Sequence, residues 1–562
     1  MKRALVPLLA LGCATELPES THRLRLAFEP LYLSSFGVAR FDVKVSQGPY
    51  SSDMAPIFGA VCAPYGTDAP SIGPLEPAKN LVVEVTFYKD ELCAEPVLVG
   101  ARGGIEIIDG GSAGLWHVPV FPIGGFAAFP HVAQSIVEAA PKAECTVDAD
   151  CRIANPDGTT YQLSAIAECD EKTKRCFVPP TLYPLDMVSP RAYHTATALP
   201  DGRVAFVGGV ATSDGEGVWI GTGDLVEVFD PGTFTFRRVE IPDLSGQRMA
   251  MHATVLGADG SLAVFGGAVQ LQIGLTDVGN NRGLSVTVPP GNGLGTDNLL
   301  QLASRIDVEA GAANVGALPL PLAGASAAVI GGAVLVTGGV SAQGDDVAAT
   351  DTALSCILRG GAPQCESAGA LSAARFGHCT VCADADCTTG AVVGGESGAV
   401  GEIYDGQGFT DLEAAGALST GVALPTCAGG HLVGGSSAVG GPANVAPLAI
   451  SVGDGKLTGT EITGLDTVAD PFRVGTAATV LADGSLLVTG GVNARGVALA
   501  TAYRVKDGAV TAVYTMAKAR FGHTATLLTA GPLEGAVLVA GGLTTRADGT
   551  LDVAAGAELF HP

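Results

Sequence analysis

The feature that most constrains this fold is a unit that recurs seven times after residue 188. Its first copy reads PRAYHTATALPDGRVAFVGG, residues 190–209, and its second reads QRMAMHATVLGADGSLAVFGG, residues 247–267. Each copy ends in an apolar run closed by two glycines, at residues 208–209, 266–267, 338–339, 394–395, 434–435, 490–491 and 541–542. Such a repeat indicates an architecture in which each copy buries its core against its neighbours.

Each copy predicts two β-hairpins. The Asp-Gly pair at residues 201–202 supplies the positive φ of a tight hairpin turn. The Gly-Gly pair suits backbone that bends or packs closely without a Cβ. A second half follows each Gly-Gly pair after a variable loop. Clear examples read VEVFDPGTFTF, GEIYDGQGF, ATAYRVKDG and, at the C-terminus, AELFHP.

This two-hairpin unit, with its Gly-Gly pair and later aromatic-Asp-Pro, resembles the kelch repeat over residues 189–562. The resemblance implies an all-β fold, a seven-bladed kelch-type β-propeller with four antiparallel strands per blade around a central channel. The third and fifth copies lack the Arg-His signature and the fifth is short, so six blades is the alternative. Kelch repeats also carry a Trp after the aromatic-Asp-Pro, where this chain has Phe236 and Phe409. We expect the segment LYPLDMV, residues 182–188, to complete the last blade.

Three segments precede the propeller, which we assign to residues 181–562. Residues 1–13 have two basic residues, a short apolar stretch and Cys13, and resemble a lipoprotein signal peptide with Cys13 as the lipidated residue. Residues 14–128 alternate polar and apolar residues between turns, which predicts a small β-sandwich of immunoglobulin-like character. Residues 129–180 carry four cysteines and little apolar material, which predicts a disulfide-rich linker module.

The formal net charge of −25 limits the partners. Negative charge disfavours binding to nucleic acid and to anionic lipid surfaces, so the lipid anchor is the only membrane contact we expect. Acidic residues in the cysteine-rich segment leave calcium binding open as an alternative to a solvated surface. Otherwise we expect no cofactor and no metal, and a monomeric protein.

Twelve cysteines remain after Cys13. They fall into local groups: Cys62 with Cys93; Cys145, Cys151, Cys169 and Cys176; Cys356 with Cys365; and Cys379, Cys382, Cys387 and Cys427. An even, grouped set in an exported protein predicts disulfides. Because residues three apart on a strand point to opposite faces, the segment HCTVCADADC predicts a Cys382–Cys387 bridge and a Cys379–Cys427 bridge. A zinc site in this segment is the alternative.

Histidines and arginines that recur with the repeat predict structural roles. We expect the histidines to bond the backbone of a neighbouring strand: His194, His252, His378 and His523. We expect the arginines to bridge adjacent blades: Arg191, Arg375 and Arg520.

A kelch propeller beside a β-sandwich also resembles the galactose-oxidase-like copper enzymes. Those enzymes need a Tyr joined to a Cys, a second Tyr and two His around one copper. Here Tyr193, Tyr404 and Tyr503 take repeat positions, and no His pair lies outside the repeat register. We therefore expect no enzyme activity. A propeller enzyme acting on extracellular carbohydrate is the alternative function.

Two loops that follow Gly-Gly pairs are long, residues 210–225 and 268–300. Loops on one rim of a propeller bind ligands, and an exposed Trp beside polar side chains suits a sugar ring or a peptide, with tolerated insertion as the alternative. The candidate binding residues are Trp219, Asp214, Asn280, Asn281 and Arg282. We expect an exported outer-membrane lipoprotein whose propeller is a cell-surface binding or adhesion scaffold for a protein or glycan.

Overall fold

A computed structural model describes residues 24–27, 36–47, 56–65, 71–73, 75–107, 115–128, 144–146, 152–154, 160–162, 168–170, 173–177 and 187–562, the last with gaps at 224, 290–297, 397–398, 419–420 and 555. Cys13, Cys151 and the proposed signal segment lie outside the described residues. The described structure is built almost wholly of β-strands, so the predicted all-β class is confirmed. No helix in this part of the chain has the length and apolarity needed to cross a bilayer.

Nine strands come first: β1 (Leu24–Ala27), β2 (Arg40–Gln47), β3 (Phe58–Pro64), β4 (Ser71–Ile72), β5 (Ala78–Tyr88), β6 (Pro96–Ile107), β7 (Leu115–His117), β8 (Val120–Pro122) and β9 (Gly125–Ala128). Strands β3-β2-β5-β6-β8 form one sheet and β4-β1-β7 another. Leu24 and Leu26 of the smaller sheet share a buried core with Val43 and Val85 of the larger one. These two N-terminal sheets therefore pack face to face, as the alternating pattern predicts.

The cysteine-rich segment has four short strands: β10 (Arg152–Ala154), β11 (Thr160–Gln162), β12 (Glu168–Asp170) and β13 (Arg175–Phe177). They form two separate two-stranded sheets, β10-β11 and β12-β13. A disulfide joins Cys145 to Cys169, and Cys176 is disulfide-bonded as well. Covalent links therefore hold this segment, as its composition predicts.

The repeats contain the remaining strands and two 3-10 helices. They are β14 (Thr195–Ala198), β15 (Val204–Val207), β16 (Val210–Ser213), β17 (Val218–Gly221), β18 (Val226–Asp230), β19 (Thr235–Val239), η1 (Pro242–Leu244), β20 (Ala253–Leu256), β21 (Leu262–Phe265), β22 (Gln270–Val278), β23 (Asn281–Thr287), β24 (Leu302–Asp307), β25 (Ala312–Ala317), β26 (Ser326–Ile330), β27 (Ala333–Thr337), β28 (Val340–Gln343), β29 (Asp346–Ala349), β30 (Thr352–Ile357), β31 (Gln364–Ala370), β32 (His378–Cys382), β33 (Gly390–Gly394), β34 (Gly401–Tyr404), β35 (Phe409–Gly416), β36 (Thr426–Ala428), β37 (His431–Val433), β38 (Leu448–Gly453), β39 (Lys456–Glu461), η2 (Leu465–Thr467), β40 (Ala477–Val480), β41 (Leu486–Thr489), β42 (Thr501–Lys506), β43 (Ala509–Thr515), β44 (Thr524–Leu527), β45 (Val537–Ala540), β46 (Leu543–Thr545), β47 (Leu551–Val553) and β48 (Ala557–His561).

Each copy of the repeat contributes to a four-stranded antiparallel sheet. We number these sheets 1 to 7: β14-β15-β18-β19, β20-β21-β24-β25, β26-β27-β30-β31, β32-β33-β34-β35, β36-β37-β38-β39, β40-β41-β42-β43 and β44-β45-β48-β9. The first strands of successive sheets contact one another in this order, and β44 of sheet 7 contacts β14 of sheet 1. The first strands therefore form a closed cycle.

The Gly-Gly pairs join each sheet to the next. In every copy, the N–H of the second glycine donates to a backbone carbonyl that lies just before the first strand of the following sheet. These bonds are Gly209 to Met249, Gly267 to Leu322, Gly339 to Arg375, Gly395 to Val422, Gly435 to Arg473, Gly491 to Arg520 and Gly542 to Arg191. Since the last bond returns to the first copy, the seven sheets share a closed cycle of seven hydrogen bonds.

The prediction that residues 182–188 supply the last strand is wrong. Sheet 7 obtains its fourth strand from β9, which pairs antiparallel with β48 from Gly125 to Ala128, and not from residues 182–188. Because β9 follows β8 directly, the N-terminal sheets run into sheet 7. The ring centroid of Phe121 also lies 5.3 Å from that of Phe234 in sheet 1. The cysteine-rich segment is therefore an insertion between β9 and β14 and not a linker ahead of a complete domain.

Sheets 4 and 5 are joined at both edges. Their outer strands pair in parallel, β35 with β39, which makes one eight-stranded sheet. At the inner edge, the predicted Cys379–Cys427 disulfide connects β32 to β36. Sheet 5 is the shortest copy, and these links attach it to its neighbour.

Candidate functional site

Two positions are structurally equivalent in all seven sheets, and we call the two residues that occupy them the inner pair of each sheet. Its first member carries the carbonyl that accepts the Gly N–H of the previous sheet. Its second member lies on the third strand, beside the residue two places before the Gly-Gly pair. In sheet order the inner pairs are Arg191 with Glu227, Met249 with Ser304, Leu322 with Leu354, Arg375 with Glu402, Val422 with Leu448, Arg473 with Tyr503 and Arg520 with Glu558.

The charged inner pairs are fully buried ion pairs. Arg191 lies 3.0 Å from Glu227 and Arg520 lies 2.7 Å from Glu558, while Arg375 pairs with Glu402. Each arginine also donates from Nη1 to the first glycine carbonyl of its own sheet, as Arg191 does to Gly208 at 2.9 Å. Burial lowers the pKa of Arg375 and raises the pKa of Glu227. The prediction that the arginines bridge adjacent blades is therefore wrong for Arg375 and Arg520, whose side chains bond groups of their own sheet.

Sheet 6 shows a variant that the sequence reading missed. Arg473 is fully buried and donates from Nη1 to the Gly490 carbonyl at 3.0 Å. No glutamate follows on its third strand, and the guanidinium instead lies 5.1 Å above the ring of Tyr503. A cation–π contact takes the place of the ion pair.

The four repeat histidines are structural, as predicted, but their partners are hydroxyl groups. Each Nε2 lies within hydrogen-bonding distance of a threonine on the preceding sheet: His194 and Thr524 at 3.0 Å, His252 and Thr195 at 2.9 Å, His378 and Thr337 at 3.0 Å, His523 and Thr489 at 2.8 Å. Each ring also packs against the first glycine of the preceding sheet, where a Cβ would overlap it. These glycines are therefore required both by positive φ and by the histidine contact.

Acidification is expected to destabilise the protein through these histidines. Burial and the nearby Arg375 lower the pKa of His378 to about 3, whereas an unfolded histidine has a pKa near 6.5. As pH falls below about 6.5 the unfolded chain gains protons and the folded state does not, so the free energy of unfolding falls by about 1.4 kcal/mol per pH unit for each such histidine down to about pH 3.

Urea denaturation at several pH values tests this expectation. The matched variant is His378→Thr, because the sixth copy carries Thr476 at the same position. The carboxylates contribute equally to the pH dependence of both proteins. Between about pH 6 and 4, the free energy of unfolding should therefore fall with pH more steeply in the wild type than in the variant, by about 1.4 kcal/mol per pH unit. Equal slopes for the two proteins would contradict the assignment.

The two long loops form a sheet of their own, which we call the capping sheet. Its order is β16-β17-β22-β23. Its inner side chains, among them Leu271, Ile273 and Leu284, join a buried cluster that also includes side chains from all seven repeats. The capping sheet therefore covers the centre of the cycle on the side where the Gly-Gly loops emerge.

The tip of the β22-β23 hairpin is held by loops from the far side of the cycle. The Arg282 N–H donates to the Ala494 carbonyl of sheet 6 at 2.8 Å. A Cβ on Gly283 would overlap the Gly440 carbonyl in the loop of sheet 5. The hairpin therefore spans from sheet 2 to sheets 5 and 6, where backbone contacts anchor it.

The premise that Trp219 is an exposed binding residue is wrong. Its side chain is only 3% exposed and lies on the inner face of the capping sheet, paired in register with Leu271. The sequence showed a polar, glycine-rich loop around this residue. Only the pairing of β17 with β22 turns the indole into the core.

The other candidate residues stay at the surface but do not form one site. Asp214 lies in the β16-β17 turn, where its carboxylate accepts the Glu216 and Val218 N–H groups. Asn280 and Asn281 are exposed at the tip of β22-β23, and Arg282 lies 3.0 Å from Asp277 beside them. The tip is six residues beyond the β17-β22 pairing, or about 20 Å along the strand. Two separate turns therefore carry these polar residues.

The cysteines of residues 378–387 are committed to disulfides. Cys382–Cys387 and Cys379–Cys427 form as predicted, as do Cys62–Cys93 and Cys356–Cys365. The zinc alternative is therefore wrong, because a disulfide sulfur is not a thiolate ligand. Among the described residues, no three His, Cys, Asp or Glu side chains are grouped so as to hold a metal ion.

The tyrosines of the repeats are packing residues. Tyr404 lies 4.9 Å from Phe409, and Tyr514 lies 4.9 Å from Phe560. Tyr503 lies beneath Arg473, and the half-buried Tyr193 packs against Gly522 of sheet 7. Each ring is therefore used in contacts between strands or sheets.

No protein-family model matches this sequence, and no curated protein matches it either. The several disulfides indicate an oxidising environment of the extracellular type.

Proposed function

We propose that residues 189–562 and β9 form a seven-bladed kelch-type β-propeller that works as a binding or adhesion scaffold for a protein or glycan at the cell surface. The closed cycle of seven Gly hydrogen bonds supports the architecture. In a propeller of this type the loops after the Gly-Gly pairs gather on one rim, and function concentrates in such loops. Here two of these loops have become an ordered sheet, which offers a rigid surface.

The observation that carries the proposal is the outer face of the capping sheet. Its outward positions on β17, β22 and β23 hold no charged residue: Val218, Ile220, Gln270, Gln272, Gly274, Thr276, Ser285 and Thr287. The chain as a whole has a net charge of −25. A flat array of amides and hydroxyls both donates and accepts hydrogen bonds, which suits a neutral glycan or the backbone of a protein partner.

Binding to an array of neutral and acidic glycans tests this surface. We expect binding to neutral glycans, reduced at least about tenfold in the double variant Gln272→Glu, Thr276→Glu, because each carboxylate must be desolvated on contact. The matched control, Gln364→Glu with Thr515→Glu, adds the same charges on the exposed outer strands β31 and β43. Retention of binding in the first variant, or equal loss in both, would contradict this assignment.

Site-specific photo-crosslinking tests whether a protein partner binds this surface. Placed at Gln272 in the producing cells, it should give a defined crosslinked species. The same residue at Gln364 should give none. Equal crosslinking at both positions would contradict a recognition surface on the capping sheet.

We further propose that the protein is an outer-membrane lipoprotein attached through Cys13. The disulfides support export, and the sequence around Cys13 resembles a lipoprotein signal. Metabolic labelling with a clickable fatty acid should mark the wild type and not Cys13→Ser. Equal labelling of both would contradict the anchor.

A further inference from the structure

The seven inner pairs differ in how well they fill their space. Three are Arg–Glu pairs and one is Arg–Tyr, while sheets 2 and 3 carry Met249 with Ser304 and Leu322 with Leu354. Sheet 5 carries Val422 with Leu448. Valine is the smallest residue found at the first position of any of the seven inner pairs.

A cavity opens at this place in sheet 5. Val422 and Leu448 both line it, and its volume is about 460 Å³. Leu418 and Ile462, from the segments that flank sheet 5, complete apolar walls that are nearly fully buried. This volume lies in the range of small-molecule sites.

The equivalent end of sheet 1 carries a groove of similar size with a different lining. A groove of about 450 Å³ is present there, but neither Arg191 nor Glu227 lines it. Its rim carries both a cation and an anion, Arg238 and Glu240. The two grooves are therefore nearly equal in volume, but the inner pair takes part in the lining only in sheet 5.

The rim of the sheet 5 cavity carries one acidic side chain and an amide side chain held by hydrogen bonds. Of the described residues that line it, Glu461 alone carries a charge, and its carboxylate is exposed. Asn444 is held in place on the rim, because its Oδ1 accepts the Ser437 N–H at 2.9 Å and its Nδ2 donates to Ser437 Oγ at 3.1 Å. The site thus combines buried apolar side chains at its base with a carboxylate and fixed polar groups at its mouth.

We propose that this cavity binds a small amphiphile with an apolar body and a cationic amine head. The apolar body would fill the space above Val422 and Leu448, while the amine would stay at the mouth beside Glu461, where it keeps most of its hydration. The net charge of −25 favours the approach of a cation over that of an anion. The proposal does not rest on the outer face of the capping sheet being a recognition surface.

Calorimetric titration of the full chain with octylamine, octanol and octanoate tests the proposal, since the three share one apolar body. We expect octylamine to bind about three- to fivefold more tightly than octanol, and octanoate to bind more weakly than either, because solvent screens the ion pair with the exposed Glu461 carboxylate. Glu461→Gln, a surface change, should remove the preference for the amine over the alcohol. Val422→Met should weaken all binding at least tenfold, and Leu322→Met, the same change at the equivalent position of sheet 3, should not.

Methionine at residue 422 copies Met249 of sheet 2, and thermal unfolding will show whether the variant is folded. Failure of all three compounds to bind would overturn the cavity as a ligand site. Equal affinity for amine and alcohol, or a preference that survives Glu461→Gln, would overturn the assigned head group. Binding that survives Val422→Met in a folded protein would place the ligand elsewhere and also overturn the proposal.

Discussion

Replacing Arg375 by Leu is expected to lower the free energy of unfolding by about 3–5 kcal/mol, because it leaves the Glu402 carboxylate buried without its cation. Both side chains are almost completely buried. The arginine Nη1 also donates to the Gly394 carbonyl at 2.9 Å, so the substitution removes two bonds in the interior. Chemical denaturation of the full chain measures the loss.

The double variant Arg375→Leu, Glu402→Leu should recover most of that stability. Sheet 3 already carries Leu322 and Leu354 at these two positions, so the fold accepts an apolar inner pair. Replacing a buried ion pair by well-packed apolar residues is often neutral. The double variant therefore separates the cost of an unpaired charge from the cost of a changed shape.

An exposed pair provides the control. Arg546 lies beside Asp552, with 60% of its own side chain and 47% of the aspartate side chain exposed. Arg546→Leu should leave the free energy of unfolding almost unchanged, since solvent screens such pairs. A similar small cost for Arg375→Leu, or a double variant as unstable as the single one, would contradict the inner-pair interpretation.

A fragment that begins at residue 129 is expected to be far less stable than one that begins at residue 119. The shorter fragment lacks β9, so β48 becomes an exposed edge of a three-stranded sheet. It also loses Phe126, whose ring lies 4.8 Å from Phe560. Loss of this half-buried ring removes packing against Phe560, and loss of the ladder hydrogen bonds between β9 and β48 adds to the destabilisation.

Thermal unfolding and light scattering compare the two fragments. We expect the midpoint of the shorter one to fall by about 5 °C, with aggregation through the open edge. A synthetic peptide of residues 119–128, added in trans, should restore part of the stability, and the same peptide with Phe126→Asp should not. Equal midpoints for the two fragments would contradict closure of sheet 7 by β9.

Local patterns in the sequence determined much of this protein. The Gly-Gly pair marked the end of the second strand in every copy, and Asp-Gly pairs at residues 201–202, 259–260 and 483–484 marked the first hairpin turn in three of them, because a turn depends on residues that are neighbours in the chain. The spacing of Cys379, Cys382, Cys387 and Cys427 gave both bridges in that segment, because side chains alternate along a strand. The inner-pair glutamates could also have been found. The segments VEVFD, GEIY and AELF each place a Glu two residues before the aromatic residue, in copies that also have the arginine.

Tertiary structure alone decided the rest. The fourth strand of sheet 7 pairs residues 125–128 with residues 558–561, and no local pattern marks partners so far apart. Trp219 is buried because β17 pairs with a hairpin from the next copy, which its own loop does not reveal. The cavity of sheet 5 depends on which side chains meet at one point from strands and loops far apart in sequence. Hairpins follow from short-range backbone preferences, whereas burial and cavities depend on which surfaces meet after the chain has folded.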